Sequence, residues 1–228
     1  MCIGGDNIGS CWKHFKTICR HKKEVFKECK ACGITWRGIV HDLSKFSPAE
    51  FVPSAKYFQG NRSPIEAEKE AVGYSNAWLH HKSHNKHHWE YWCDYDNDTG
   101  AVFPHKIPYV YVVEMVCDWI GAGKVYGGSD WNQEEPLKYY NKVRAGRHFH
   151  DETEKLIVSM LETISNRGLD AFHKRAKSGL WNDWYETGCK RTGHVEPHIV
   201  SETPLIVEFV SQNEEQVKDG ATVNSPVP

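Results

Sequence analysis

Apolar side chains return at three- and four-residue spacing in one stretch of this chain after another, which is the period of helices with one buried face. In the first stretch Phe15, Ile18, Cys19, Val25, Phe26 and Cys29 share such a face. Ser10 offers a helix start and Gly33 a stop. Ser47-Pro48-Ala49-Glu50 and Ser63-Pro64-Ile65-Glu66 each combine an N-cap, a proline at the first helical position and a glutamate three residues after the cap. Each therefore predicts a helix start. Pro53 is expected to break the first of these helices early. The second is expected to run from Pro64 to about Trp92, with a weak point at Gly73. Pro108 opens a helix whose expected buried side is Val112, Val113, Val116, Trp119 and Ile120, ending near Gly127-Gly128. Asp151 is expected to cap a helix carrying Leu156, Ile157, Met160, Leu161 and Ile164 as far as Gly168, and residues 169–178 to form another. The expected fold class is all-α, a helical bundle in a single domain over residues 1–192. Residues 193–228 read as a C-terminal tail, partly disordered or holding one short strand, because β-branched runs there are interrupted by Pro204 and followed by a polar end.

A chain of 228 residues can bury roughly 70% of its unfolded surface, so such a bundle needs no covalent staples. Lys plus Arg is 28 and Asp plus Glu is 30, so no global field attracts a polyanion and nonspecific nucleic-acid binding is disfavoured. No apolar run reaches the length of about 18 residues that a membrane span requires, and Met1 to Ser10 lacks a basic segment followed by an apolar one. The expectation is a cytoplasmic protein without a membrane partner, and one compatible with homo-oligomers. Its 8 cysteines then read as reduced thiols. Cys29-Lys30-Ala31-Cys32 has the spacing of half a zinc ribbon but no second such pair, and a place on the buried helix face fits it better.

The 14 histidines are unevenly placed, with His80, His81, His84, His87 and His88 inside nine residues. A metal site needs imidazoles and carboxylates converging from rigid elements. His21 lies at the edge of the first apolar face, His41-Asp42 ends the next short segment, and Asp118 shares a helix face with Glu114. An adjacent His-Asp pair can direct both side chains to one ion where the backbone bends between them. Trp78, Trp89, Tyr91 and Trp92 surround the histidine cluster and read first as core, with nucleobase stacking as the alternative.

The order His21, His41-Asp42, Asp118 resembles the metal signature of the HD-domain phosphohydrolase superfamily, a helical metalloenzyme fold. His41-Asp42-Leu43-Ser44-Lys45-Phe46 is similar to that superfamily's central motif, and the resemblance extends over roughly residues 10–128. The segments Arg37 to Lys45 and Leu79 to Trp92 also resemble an uncharacterised bacterial and phage domain family, which implies no function. The superfamily resemblance implies an HD-domain-like bundle holding one or two divalent transition-metal ions, of iron, manganese, cobalt or zinc. It implies the ligands His21, His41, Asp42 and Asp118, with His81 and His88 added from the cluster for a second ion. Asp42 and Lys45 are the implied catalytic residues. Lys45 is expected on the substrate phosphate with Arg37, His80 and His87, while Glu114 and His84 are expected to hydrogen-bond the ligands. Seven residues of straight helix span about 10.5 Å, so a helix break near residues 83–86 is expected, with His81 ending one segment and His88 beginning the next.

The reaction so implied is metal-dependent hydrolysis of a small phosphorylated molecule, most simply a nucleotide. Two alternatives stand beside it: a di-iron oxygenase on the same residues, and a zinc-stabilised helical binding module without activity.

Overall fold

The computed structural model describes residues 5–187, and the expected tail at 193–228 lies outside the described residues. The fold is all-α. Its helices are α1 (Gly5–Ala31), α2 (Thr35–Val40), α3 (Pro48–Lys56), α4 (Pro64–Val72), α5 (Asn76–His84), α6 (Tyr109–Gly127), α7 (Glu135–Val143), α8 (Asp151–Arg167), α9 (Leu169–Lys177) and α10 (Leu180–Thr187). An antiparallel hairpin of β1 (Cys93–Tyr95) and β2 (Val102–Pro104) sits between α5 and α6, with Cys93 opposite Pro104 and Tyr95 opposite Val102. The polar run 94–100 is its turn, where Asp96 Oδ1 accepts from the Thr99 N–H at 2.8 Å.

The core lies where α1, α6 and α8 meet and α9 and α10 close over them. Val25 and Cys29 come from α1, Val112, Val116 and Ile120 from α6, Leu156, Met160 and Ile164 from α8, Phe172 from α9, and Trp181 from α10. The α1–α6 crossing is close. A Cβ placed on Gly121 would stand 2.5 Å from Val25 Cγ2 and 3.1 Å from Val25 N, so glycine lets the two backbones approach.

Several boundaries differ from the sequence expectation. Helix α1 begins before Ser10, and the Ser10 hydroxyl donates instead to the Ala55 carbonyl at 3.4 Å, tying α1 to α3. Pro53 does not end α3, because the Tyr57 N–H still bonds the Pro53 carbonyl at 3.2 Å and α3 packs on α1 and α5. Ser47 makes no side-chain cap bond. The long helix expected over 64–92 is two: α4 stops at Gly73, and Ser75 starts α5 by accepting from the Trp78 N–H at 3.0 Å. Buried Glu68 locks that elbow by accepting from the Ser75 hydroxyl and the Asn76 N–H. The cap of α8 is His150, whose Nδ1 accepts from the Glu152 N–H at 3.3 Å, one residue before the expected Asp151. Helices α7 and α10 were not anticipated, since each buries only a few side chains, among them Tyr140 in α7 and Trp181 and Tyr185 in α10. Among the described residues no helix is long and apolar enough to cross a membrane.

Candidate metal centre

Two close helix approaches and one backbone bend assemble the centre. Helix α2 lies against α1 at Gly38, where a Cβ would stand 2.9 Å from Cys29 Cβ and 3.1 Å from Phe26 Cα. At the end of α2 the backbone turns out at His41 (φ −52°, ψ 128°) and then into the left-handed region at Asp42 (φ 54°, ψ 27°). Asp42 is the one non-glycine residue with positive φ among the described residues. Such a conformation costs about 1–3 kcal/mol, is best tolerated by Asp and Asn, and clusters at functional sites. This bend directs the adjacent His41 and Asp42 side chains to one point. The α1–α6 crossing then sets His21 opposite Asp118.

His21, His41, Asp42 and Asp118 form one group whose ligand atoms all lie within 4.8 Å of one another. His21 Nε2 is 3.0 Å from Asp118 Oδ1 and 3.5 Å from Asp42 Oδ2. His41 Nε2 is 3.2 Å from Asp42 Oδ2 and 3.5 Å from Asp118 Oδ1. Ligands about 2.0–2.2 Å from a common ion stand roughly 3.0–3.5 Å apart in tetrahedral or octahedral arrangements. The four atoms could therefore hold a metal ion.

Asp42, His81, His87 and His88 form a second such group. Helix α5 ends at His84, and Asn85 is extended at its C-cap (φ −121°, ψ 105°). The break expected near residues 83–86 thus falls at Asn85, with His81 in the last turn of α5 rather than at its end and His88 just before the next turn, 89–92. His81 Nε2 and His87 Nε2 each stand 3.4 Å from Asp42 Oδ1. The His81 and His88 ring centroids are 4.7 Å apart, those of His87 and His88 4.2 Å. His21 Nε2, His41 Nε2, His87 Nε2, His88 Nε2 and Asp42 Oδ1 are buried with no hydrogen-bond partner. Buried polar atoms left so are costly unless an ion or ligand completes them.

Carboxylates behind the rings fix their orientation. His41 Nδ1–H donates to Glu114 Oε1 at 3.0 Å, and His81 Nδ1–H donates to Glu50 Oε2 at 2.7 Å. A ring held by its Nδ1 in this way presents Nε2 to a metal. His87 Nδ1 is 3.4 Å from Glu114 Oε1. Glu114 with His41 and His87 thus forms a support rather than a third ion site.

Burial works against charge throughout. It would raise Asp42 and Asp118, but the neighbouring imidazoles, and for Asp42 also Lys45, hold both well below the usual carboxylate range. Glu114 is likewise held down at about 2, despite its burial, by the hydrogen bond from His41 and by the nearby His87 and Arg37. Burial is opposed at His41 by Asp42 and Asp118, which raise it well above its ordinary value. His88 is lowered well below that value by burial and by His87 and His81, which leaves a neutral, ligating imidazole.

The implied substrate and support residues divide. Lys45 Nζ lies 2.6 Å from Asp42 Oδ2, and Lys45 borders a cavity of about 910 Å³ that opens onto the centre. Trp78 and Trp89 line the same cavity, whereas Trp92 packs on the core and Tyr91 is exposed. His87 belongs to the second ligand group and also lines the cavity. His80 and Arg37 do not line the cavity. The His80 Nδ1–H donates to Glu50 Oε1 at 2.7 Å and its ring stacks on His84, because a helix that presents His81 inward turns its preceding residue outward. Arg37 Nε–H donates to Glu114 Oε2 at 2.7 Å, holding the carboxylate that holds His41. His84 is exposed, and its Nδ1–H donates to the His80 carbonyl at 2.8 Å, so it touches no ligand. Sequence reasoning missed Glu50 as a support because its place in a capping box explained it already. Cys29 and Cys32 are buried and Cys19 is exposed, and no metal-ligand group among the described residues contains a cysteine.

Chemically, the arrangement is a buried centre that can hold metal, with two ligand groups sharing one carboxylate, a cation beside it and a cavity in front. No curated protein and no solved structure matches the chain. The model of a family of unknown function (DUF5662) matches residues 10–163. With that match covering more than half of its length, the chain belongs to the family of unknown function DUF5662.

Proposed function

We propose that the protein is an HD-domain-like, metal-dependent phosphohydrolase acting on a small phosphorylated substrate, a nucleotide by preference. The observation that carries this reading is the division of Asp42: Oδ2 faces His21 and His41, while Oδ1 faces His81 and His87. A carboxylate so placed could be shared by two ions, an arrangement that would suit phosphoryl transfer. Held by these residues, divalent ions of iron, manganese, cobalt or zinc would supply Lewis-acid chemistry toward a phosphoryl oxygen and a water. The chain's own residues do the rest. Glu114 and Glu50 hold His41 and His81 in the ligating tautomer, and the buried setting of the centre strengthens each charge contact. Lys45, on the cavity wall, offsets charge on the phosphate.

Three imidazoles in the second group also suit iron, and this supports a second reading, a di-iron oxygenase on the same residues. The experiment that separates the two is metal analysis of untagged protein, followed by phosphate release over a nucleotide panel and oxygen uptake in parallel. Phosphate release that disappears in Asp42→Ala supports the hydrolase. Oxygen consumption with iron and no phosphate release favours the oxygenase. Neither activity, together with unfolding by chelator, is the signature of a zinc-stabilised binding module.

A further inference from the structure

Outside the two ligand groups, His14 is the histidine whose two ring nitrogens are both buried without a hydrogen-bond partner. The residue is 5% exposed and lines the same cavity as Lys45, Asp118 and the second-group histidines. Its ring lies between Phe51 and Phe58, with centroids 5.3 and 5.1 Å away. An apolar ring in that place would bury no unsatisfied nitrogen, so imidazole here costs stability unless something in the cavity completes it. His14 and His21 are seven residues apart on α1. That spacing sets them on nearly the same face, about 10.5 Å apart along the axis. Ile18 and Thr17 border the cavity between them.

We propose that His14 is a specificity-determining contact for the organic part of a phosphate ester, hydrogen-bonding a pentose hydroxyl of a nucleoside monophosphate whose phosphate lies at the metal centre. The proposal deepens the phosphohydrolase reading and rests on it for the position of the phosphate. Burial and the nearby Lys45 lower the His14 pKa to about 4, so the ring is neutral at neutral pH. A neutral imidazole presents one donor and one acceptor. That pair matches a hydroxyl, which both donates and accepts. It mismatches a phosphate, which offers acceptors only and would meet the ring's lone pair. It also mismatches a metal ion, since His14 belongs to neither ligand group. Two turns of helix separate this contact from the metal centre, so a bare phosphate cannot occupy both places, whereas an ester carrying a sugar can extend from one to the other.

The test compares the wild type with His14→Phe and His14→Gln, each loaded with zinc. The probes are the phosphonate analogue of adenosine 5′-monophosphate, which cannot release phosphate, and inorganic phosphate. His14→Phe is expected to keep its zinc and to melt no lower than the wild type while binding the analogue about tenfold more weakly and phosphate equally well. His14→Gln, which keeps a donor and an acceptor, recovers part of the loss. In the wild type, the ¹⁵N resonances of the His14 ring should move with the analogue and stay put with phosphate. Equal weakening for both probes, no weakening for either, or no binding of the analogue by the wild type overturns the proposal. The hydrolase reading fails separately: analogue binding that depends on His14, with no phosphate release from any nucleotide, removes the reaction and leaves the contact. Phosphate release with an unchanged KM in His14→Phe does the reverse.

Discussion

Lys45 Nζ stands 2.6 Å from Asp42 Oδ2, the oxygen that also faces His21 and His41. One carboxylate oxygen thus answers to a lysine and to a ligand group at once. Burial opposes the ammonium charge, but Asp42 and Asp118 raise the Lys45 pKa above its ordinary value, so the side chain is a fixed cation at neutral pH. On the phosphohydrolase reading, this cation, which borders the cavity and is not itself a ligand, offsets the charge that develops on substrate. Lys45→Met should retain bound metal and lower kcat for phosphate release by about 10²–10³, the effect of removing one preorganised stabilising contact. Metal content by elemental analysis and steady-state rates check it. Unchanged turnover would make Lys45 a structural partner of Asp42.

The bridging position of Asp42 gives a stoichiometric expectation. Wild type should hold two ions per chain, His81→Ala and His87→Ala one each, and Asp42→Ala neither at full occupancy. Asp42→Asn separates ligation from backbone strain, because asparagine tolerates the left-handed conformation nearly as well as aspartate. It should therefore lose metal while melting closer to wild type than Asp42→Ala does. Equal ion counts in all five proteins would refute the shared site.

The legible part of this centre is the part that periodicity and motif both address. His21, Glu114 and Asp118 lie on long helices with clear apolar faces, so their direction follows from residue spacing. The bend that brings His41 and Asp42 together is the one expected where an adjacent His-Asp pair turns both side chains to one point. The cluster at 80–88 was legible only in part. Helix α5 is polar nearly all round, so no apolar stripe marks which histidine turns inward, and His87 and His88 lie beyond its end, where helical geometry stops applying. Glu50 and Arg37 contact the site from separate elements, α3 and α2, and such long-range pairs leave no trace in local sequence.

Support from Glu114 should be measurable through the metal. The Glu114 carboxylate is fully buried, accepts from His41 and Arg37, and stands 3.4 Å from His87. Glu114→Gln keeps its shape but presents an amide where two rings and a guanidinium need an acceptor. Loss of such a partner lowers metal affinity by about 10–100-fold. Competition with a chromophoric chelator reads this directly, and an affinity within twofold of wild type would leave Glu114 a packing residue.

The His14 ring predicts a pH dependence. Its folded pKa of about 4 lies below its ordinary value of 6.5, so between these values the unfolded chain binds the proton and the folded one does not. Stability from this group is therefore complete above about pH 6.5 and is lost as pH falls toward 4. The full shift corresponds to about 3 kcal/mol, reduced to about 2 by screening from the cavity side. Urea unfolding of wild type and His14→Phe at pH 7 and pH 4.5 should show the wild type losing more stability than the variant by roughly that amount. Parallel losses in the two proteins would place the pH sensitivity on other groups.

The α1–α6 crossing ties packing to the site. Gly121 meets Val25 where a Cβ would stand 2.5 Å from Cγ2 and 3.1 Å from the backbone nitrogen, and the second contact cannot be relieved by a side-chain rotation. Gly121→Ala should thus cost about 1–3 kcal/mol, the range for overpacking a close-packed interior. The effect should not stop at stability. Gly121 is three residues from Asp118, and Val25 four from His21, so any separation of the helices at this point also separates Asp118 Oδ1 from His21 Nε2, now 3.0 Å apart. Affinity for an ion in the first group should fall, while the second group, which takes its imidazoles from residues 81–88, should be less affected. Thermal unfolding together with stepwise metal titration distinguishes the outcomes. A lowered melting temperature with both ions bound as in wild type would show that the crossing supports the core without setting the centre's geometry.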